Sequence, residues 1–219
     1  MSLLNWQLTP DGVLVMSDTL CTMNEEPHKF VPKVTHLAHL DMLMGLTGYH
    51  NIFLQWNHLL SEQAPGLGID DLDDFATSAL PVLWGLLFPF GTEFRTTVRH
   101  WGWSRKEGRF VGRSFRSVDG FAPEVMPDGF GWSPDPAPGV DPGAVESFSD
   151  MVEVAIGQQA FGLTPPEGEP RTFVGGDLIL HTMDASTGAV VTTSQKVRQF
   201  ADYEAHLEAV QRLGEWPKN

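Results

Sequence analysis

Three residue types near the start of the chain could together do nucleophilic chemistry: a hydroxyl, a carboxylate and an ammonium. Ser2 stands behind a single Met. The apolar run Val13-Leu14-Val15-Met16 ends in Ser17-Asp18-Thr19, and Pro32-Lys33-Val34 follows, ahead of Gly45-Leu46-Thr47-Gly48. This arrangement could place an N-terminal hydroxyl beside Asp18 and Lys33. Read more plainly, Asp18 and Lys33 are a partly buried ion pair that steadies a strand turn, and Ser2 is an ordinary chain end.

Other chemistry-bearing residues fall into weaker patterns. His36 and His39 lie three apart on an expected strand and so point to opposite faces. His50 and His58 could share a helix face, with no third ligand evident. Cys21 is the sole cysteine, which excludes an intramolecular disulfide and a cysteine-based zinc site. No metal and no cofactor are expected. His100 reads as a half-buried strand residue satisfied by hydrogen bonds. Trp101, Trp103, Phe110, Phe115, Phe121, Phe130 and Trp132 interleave with Arg99, Arg105, Arg109, Arg113 and Arg116. Alternation along a hairpin would turn the aromatics inward and leave the arginines solvated. The resulting basic face is a candidate subunit interface, able to meet acidic patches of a neighbouring copy. Gly175-Gly176-Asp177 is not a phosphate loop, because a strand rather than a helix follows it.

The elements that must position these groups can be read in order. Leu3–Leu8 and Gly12–Ser17 form two strands around the turn Thr9-Pro10-Asp11-Gly12, the second apolar on both faces and therefore buried. Residues 19–31 continue extended, and short strands follow at Lys33–Ala38 and Asp41–Leu46. Ile52, Phe53, Trp56, Leu59 and Leu60 then mark one face of a helix over Tyr49–Glu62. Asp70 or Asp71 can cap a second helix, along which Pro81 forces a kink or restart. Phe94–Trp103 and Arg109–Val118 make a hairpin with Gly108 in the left-handed position. Pro134–Pro142 is an ordered loop. A third helix covers Ala144–Gln159, a second hairpin pairs Thr172–Met183 with Ala189–Lys196, and a helix over Tyr203–Leu213 closes the chain. Helices in blocks between antiparallel hairpins indicate α+β layering rather than a doubly wound parallel sheet.

The 219 residues show no composition break or internal repeat, so residues 1–219 read as a single domain. The formal net charge of -14 argues against nucleic-acid and anionic-membrane partners. The most apolar stretch, Leu80–Phe90, is too short for a membrane span and holds Pro81, Gly85 and Pro89; it reads as a buried helix. With no basic-then-apolar leader, the expected location is cytoplasmic.

Gly12–Thr19, Lys33-Val34 and Gly45–Gly48 leading into a helix resemble the proteasome β-subunit group of N-terminal-nucleophile hydrolases. The later order also matches: two helices, a hairpin, a helix, then a strand pair beginning near Gly175-Gly176. The likeness covers most of the chain as topology and residues 2–48 as motif. It implies a four-layer αββα sandwich of two antiparallel sheets between helices, self-assembly into a homo-oligomer, and hydrolysis of a peptide or small amide. Ser2 would be the nucleophile once Met1 is removed, its own α-amine the base, Lys33 the supporting cation and Asp18 the group that orients Lys33.

The chain departs from the family pattern in four ways. Ser stands where the group uses Thr, and Asp18 to Lys33 is one residue short. Arg171 and Val174 occupy positions where catalytic members carry Asp and Ser. These departures raise an alternative, a non-catalytic member of the same fold that serves assembly or ligand binding.

Overall fold

The computed structural model describes residues 3–23, 26–63, 66–136, 138–164, 172–185 and 190–214. Ser2, Arg171 and the expected turn at Ser186-Thr187-Gly188 lie outside the described residues. Among the described residues the fold is mixed α/β, with four helices and three antiparallel sheets.

Strands β1 (Leu4–Thr9) and β2 (Gly12–Asp18) pair through a two-residue loop, closed by Thr9 Oγ1 accepting from Gly12 N at 3.1 Å. Successive β2 residues enter different cores, Val13 and Val15 in one, Met16 in another, as its two-faced apolarity requires. The extended segment after Asp18 is a separate small hairpin, β3 (Leu20–Met23) with β4 (Glu26–Phe30). β5 (Val34–Leu37) and β6 (Met42–Thr47) follow, then helix α1 (His50–Gln63) and helix α2 (Leu72–Leu87). The helix runs through Pro81 without ending there.

The next hairpin, β7 (Thr97–Ser104) with β8 (Arg109–Arg116), turns at Gly108, whose φ is +66°. Two short strands unmarked by any sequence pattern come next, β9 (Pro123–Met126) and β10 (Gly129–Gly131). Helix α3 (Phe148–Leu163) begins four residues later than its apolar pattern suggests. Ser147 and Asp150 form a capping box there, each satisfying the other's backbone N–H. β11 (Asp177–Asp184), β12 (Val191–Gln199) and α4 (Tyr203–Gly214) complete the described chain.

One five-stranded sheet has the order β10-β1-β2-β11-β12 and the other β5-β6-β7-β8-β9. Three apolar cores bind these parts. Leu4, Leu8, Val13 and Val15 of the first sheet meet Val34, Leu43, Trp101 and Phe110 of the second. Met44, Leu46, Val98 and Phe115 of the second sheet pack with Ile52, Trp56 and Leu60 of α1 and Leu72, Ala76 and Leu80 of α2. Met16, Leu178 and Leu180 of the first sheet pack with Met151 and Ala155 of α3.

Three local expectations are corrected. Asp70 does not cap α2, and Asp71 at the cap position makes no side-chain cap bond. Asp70 instead accepts from Ser104 Oγ at 2.6 Å and from Arg105 N at 2.9 Å, tying the β7–β8 turn. The arginines of that hairpin are not a free basic face. Arg113 pairs with Asp73 at 3.1 Å, Arg116 with Asp119 at 2.6 Å, and Arg109 with Asp128. Arg99 lies 4.8 Å from the Trp6 ring centroid, and burial lowers its pKa to about 10. Finally, the Leu80–Phe90 stretch is only half buried, its outer side facing solvent. Among the described residues no helix is long and apolar enough to cross a membrane.

Candidate active site

Asp18 is the last residue of β2 and is fully buried. A carboxylate placed there needs donors, and three chain segments supply them. Oδ1 accepts from Leu3 N at 2.9 Å and from Lys33 Nζ in a short contact, and Oδ2 accepts from Gly175 N at 3.1 Å. Lys33 is 4% exposed. Burial pushes its pKa below the ordinary lysine value, and the Asp18 carboxylate opposes that shift without reversing it.

The backbone around the pair is equally constrained. Lys33 O accepts from Leu46 N at 3.0 Å, which starts the β5–β6 pairing. Thr19 O accepts from Val31 N at 2.8 Å, so the β3–β4 hairpin returns the chain to Lys33. Gly175 O accepts from Thr19 N and Leu20 N at 3.3 and 3.1 Å, and Asp177 N donates to Thr19 Oγ1 at 2.9 Å. Gly176 has φ +79°, and a Cβ there would come within 2.4 Å of Thr19 Oγ1. The Gly-Gly pair is therefore required for the chain to pass so close to Asp18.

Lys33 borders two spaces. On one side is a half-open cleft of about 320 Å3 lined by Ser17, Thr19, Phe30, Val31, Pro32, Asp177, Ile179, His181 and Tyr203. On the other is a gap of about 10 Å3 between Cys21, Val31, Leu46, Gly48, His50 and Phe53, near the room one water needs. His181 in the cleft holds Ser194 Oγ at 2.7 Å from Nδ1, and burial lowers its pKa to about 4, with His36 adding to the effect. His50 beside the gap is lowered by burial and by Lys29 and Lys33. Both rings are thus neutral near pH 7.

Of the residues singled out by sequence, Asp18 and Lys33 are in direct contact, and Ser2 lies outside the described residues. Val174 is fully buried in the apolar core with α3. His36 pairs in register with Leu43 on β6 and His39 Nε2 lies 3.3 Å from Leu60 O, and among the described residues no group of three or more His, Cys, Asp or Glu is placed to hold a metal. His100 is wholly rather than half buried. Its Nε2 accepts from Trp56 Nε1 at 2.9 Å, its Nδ1 has no partner among the described residues, and burial lowers its pKa to about 3. Sequence reasoning gave no role to the N–H groups of Leu3 and Gly175, because a backbone donor leaves no mark on residue type; the Gly175-Gly176 pair was the one visible sign. His181 and Tyr203 were also missed, being far from Lys33 in sequence. The chain matches no known protein-family model and no curated protein.

Proposed function

We propose that this chain is a proteasome-like N-terminal-nucleophile amidohydrolase or peptidase that uses Ser2, with Lys33 and Asp18 in support. The observation that carries this reading is the convergence of Leu3 N–H, Lys33 Nζ and Gly175 N–H on one buried carboxylate. Ser2 is joined through its carbonyl to the Leu3 nitrogen that Asp18 holds, one peptide bond from the ion pair. Three cores, linking sheet to sheet, one sheet to α1 and α2 and the other to α3, support a four-layer αββα sandwich of this family's kind.

With Met1 removed, the free α-amine of Ser2 takes the proton of its own hydroxyl, and Oγ attacks the amide carbonyl carbon. The C–N bond breaks, the leaving amine departs with that proton, and water then hydrolyses the ester and restores the hydroxyl. The Lys33 ammonium offsets negative charge growing on Oγ, and Asp18 keeps it oriented. Because burial lowers the Lys33 pKa, turnover falls with rising pH below the ~10.4 of an ordinary lysine. The charged groups along the cleft are already paired, Lys33 with Asp18 and Asp177 with Lys196, which favours a neutral peptide or small amide.

One observation favours a second reading, a non-catalytic Ntn-fold subunit. Val174, where the resemblance has a polar Ser, is an apolar core residue. Intact mass and hydroxyl-directed labelling separate the two. Hydrolase function requires a mature chain starting at Ser2, labelled there by a β-lactone and inactive as Lys33→Ala. Retained Met1 with no label would leave only the second reading.

A further inference from the structure

We infer that the outer side of α2 is the surface through which two copies of this chain pair. Val82 is 63% exposed and Leu86 75%, and Phe90, in the turn past the helix end, is 99% exposed. Val82 and Leu86 stand one turn apart, and Phe90 continues that spacing. Phe94, 60% exposed, stacks on Tyr49 and packs against Phe88 nearby. Apart from the helix's own neighbouring backbone, no atom of the described residues lies within 4 Å of the place a Cβ on Gly85 would occupy, so an open notch sits beside Leu86. A mid-helix glycine costs about 1 kcal/mol relative to alanine, and none of the described residues uses the space it leaves.

The absence of charge selects the occupant. No Asp, Glu, Lys or Arg occurs between Phe75 and Thr92, and the acids of α2, Asp73 and Asp74, are confined to its first turn. Elsewhere the net charge of -14 makes two copies repel. A basic partner would find no carboxylate along the α2 part of this strip, and beside Phe94 the exposed Glu93 and Arg95 balance each other, so the same strip on a second copy meets it without net repulsion. The four exposed side chains present on the order of 500 Å2, taking ~150–250 Å2 for an aromatic and less for an aliphatic. Self-pairing would bury on the order of 1,000 Å2 in total, the lower bound for a specific interface. A two-fold axis across α2 would seat Leu86 of each copy over the Gly85 notch of the other. This pairing does not depend on the hydrolase reading.

Sedimentation equilibrium of the full chain across micromolar concentrations tests it. The expected result is a monomer–dimer equilibrium that tightens with added salt, because screening weakens repulsion between two acidic chains. The double variant Leu86→Glu, Phe90→Glu should weaken dimerisation by roughly tenfold or more, with circular dichroism reporting an intact fold. In a Cys21→Ser background, Gly85→Cys should form a disulfide-linked dimer under mild oxidation much faster than Thr193→Cys on β12. A wild-type chain that stays monomeric, an oligomer indifferent to the double variant, or equal cross-linking at both positions would each overturn the proposal.

Discussion

Two of the buried polar centres among the described residues, Asp18 with Lys33 and His100 with Trp56, are built differently. At Asp18 a carboxylate and an ammonium meet where three distant chain segments cross, with space on either side of Lys33. At His100 an imidazole sits inside the α1–α2 core, bonded to Trp56 and ringed by aromatic side chains. Both Lys33 and His100 have pKa values lowered chiefly by burial. The shift therefore does not distinguish a site from a packed core. What distinguishes them is convergence and access: His100 closes a core, whereas Lys33 faces room for another molecule.

The largest expected effect is at Asp18. Asp18→Ala strands the Lys33 charge and two backbone donors, and should cost about 3–5 kcal/mol in urea denaturation. Lys33→Met should cost distinctly less, since Asp18 keeps its bonds to Leu3 and Gly175, while abolishing any Ser2-dependent turnover. Equal destabilisation by the two variants would erase the contrast, making the pair a structural bridge like His100–Trp56.

The next effect is pH dependence at His100. Its folded pKa, about 3, lies below the unfolded value of ~6.5, so the unfolded chain binds the proton first as pH falls. Its contribution is complete above ~6.5 and is lost progressively below that, on the order of 2 kcal/mol by pH 5. His181, at about 4, adds to the same slope. His100→Phe should flatten the dependence of the urea midpoint between neutral pH and pH 5; an unchanged slope would mean His100 is not its source.

A smaller effect serves as a reference away from both centres. Ser147→Ala removes one half of the α3 capping box and should cost about 1 kcal/mol, leaving turnover and the pH slope unchanged. A change in either would couple α3 to one of the centres.

These contrasts follow what the sequence could and could not carry. β2 was legible because a strand buried on both faces must be apolar at consecutive positions, and α1 because Ile52, Trp56 and Leu60 repeat at helical spacing. β9 and β10 were not: Pro123–Met126 is mostly exposed at a sheet edge, and Gly129–Gly131 is too short for alternation. Asp70 read as a helix cap because capping is a local rule, yet it was claimed by a turn 34 residues away. At the candidate site the Asp18–Lys33 pair was legible by residue type, while the backbone donors that complete it appear only once the segments are folded together.

The hydrogen bond from Leu3 N to Asp18 also bears on how the protein should be handled. Because Leu3 is buried and held at the ion pair, an affinity tag fused ahead of Ser2 begins within a few residues of that pair. Under the hydrolase proposal such a tag also leaves Ser2 without a free α-amine, so recombinant protein meant for testing that proposal is better tagged at its other end.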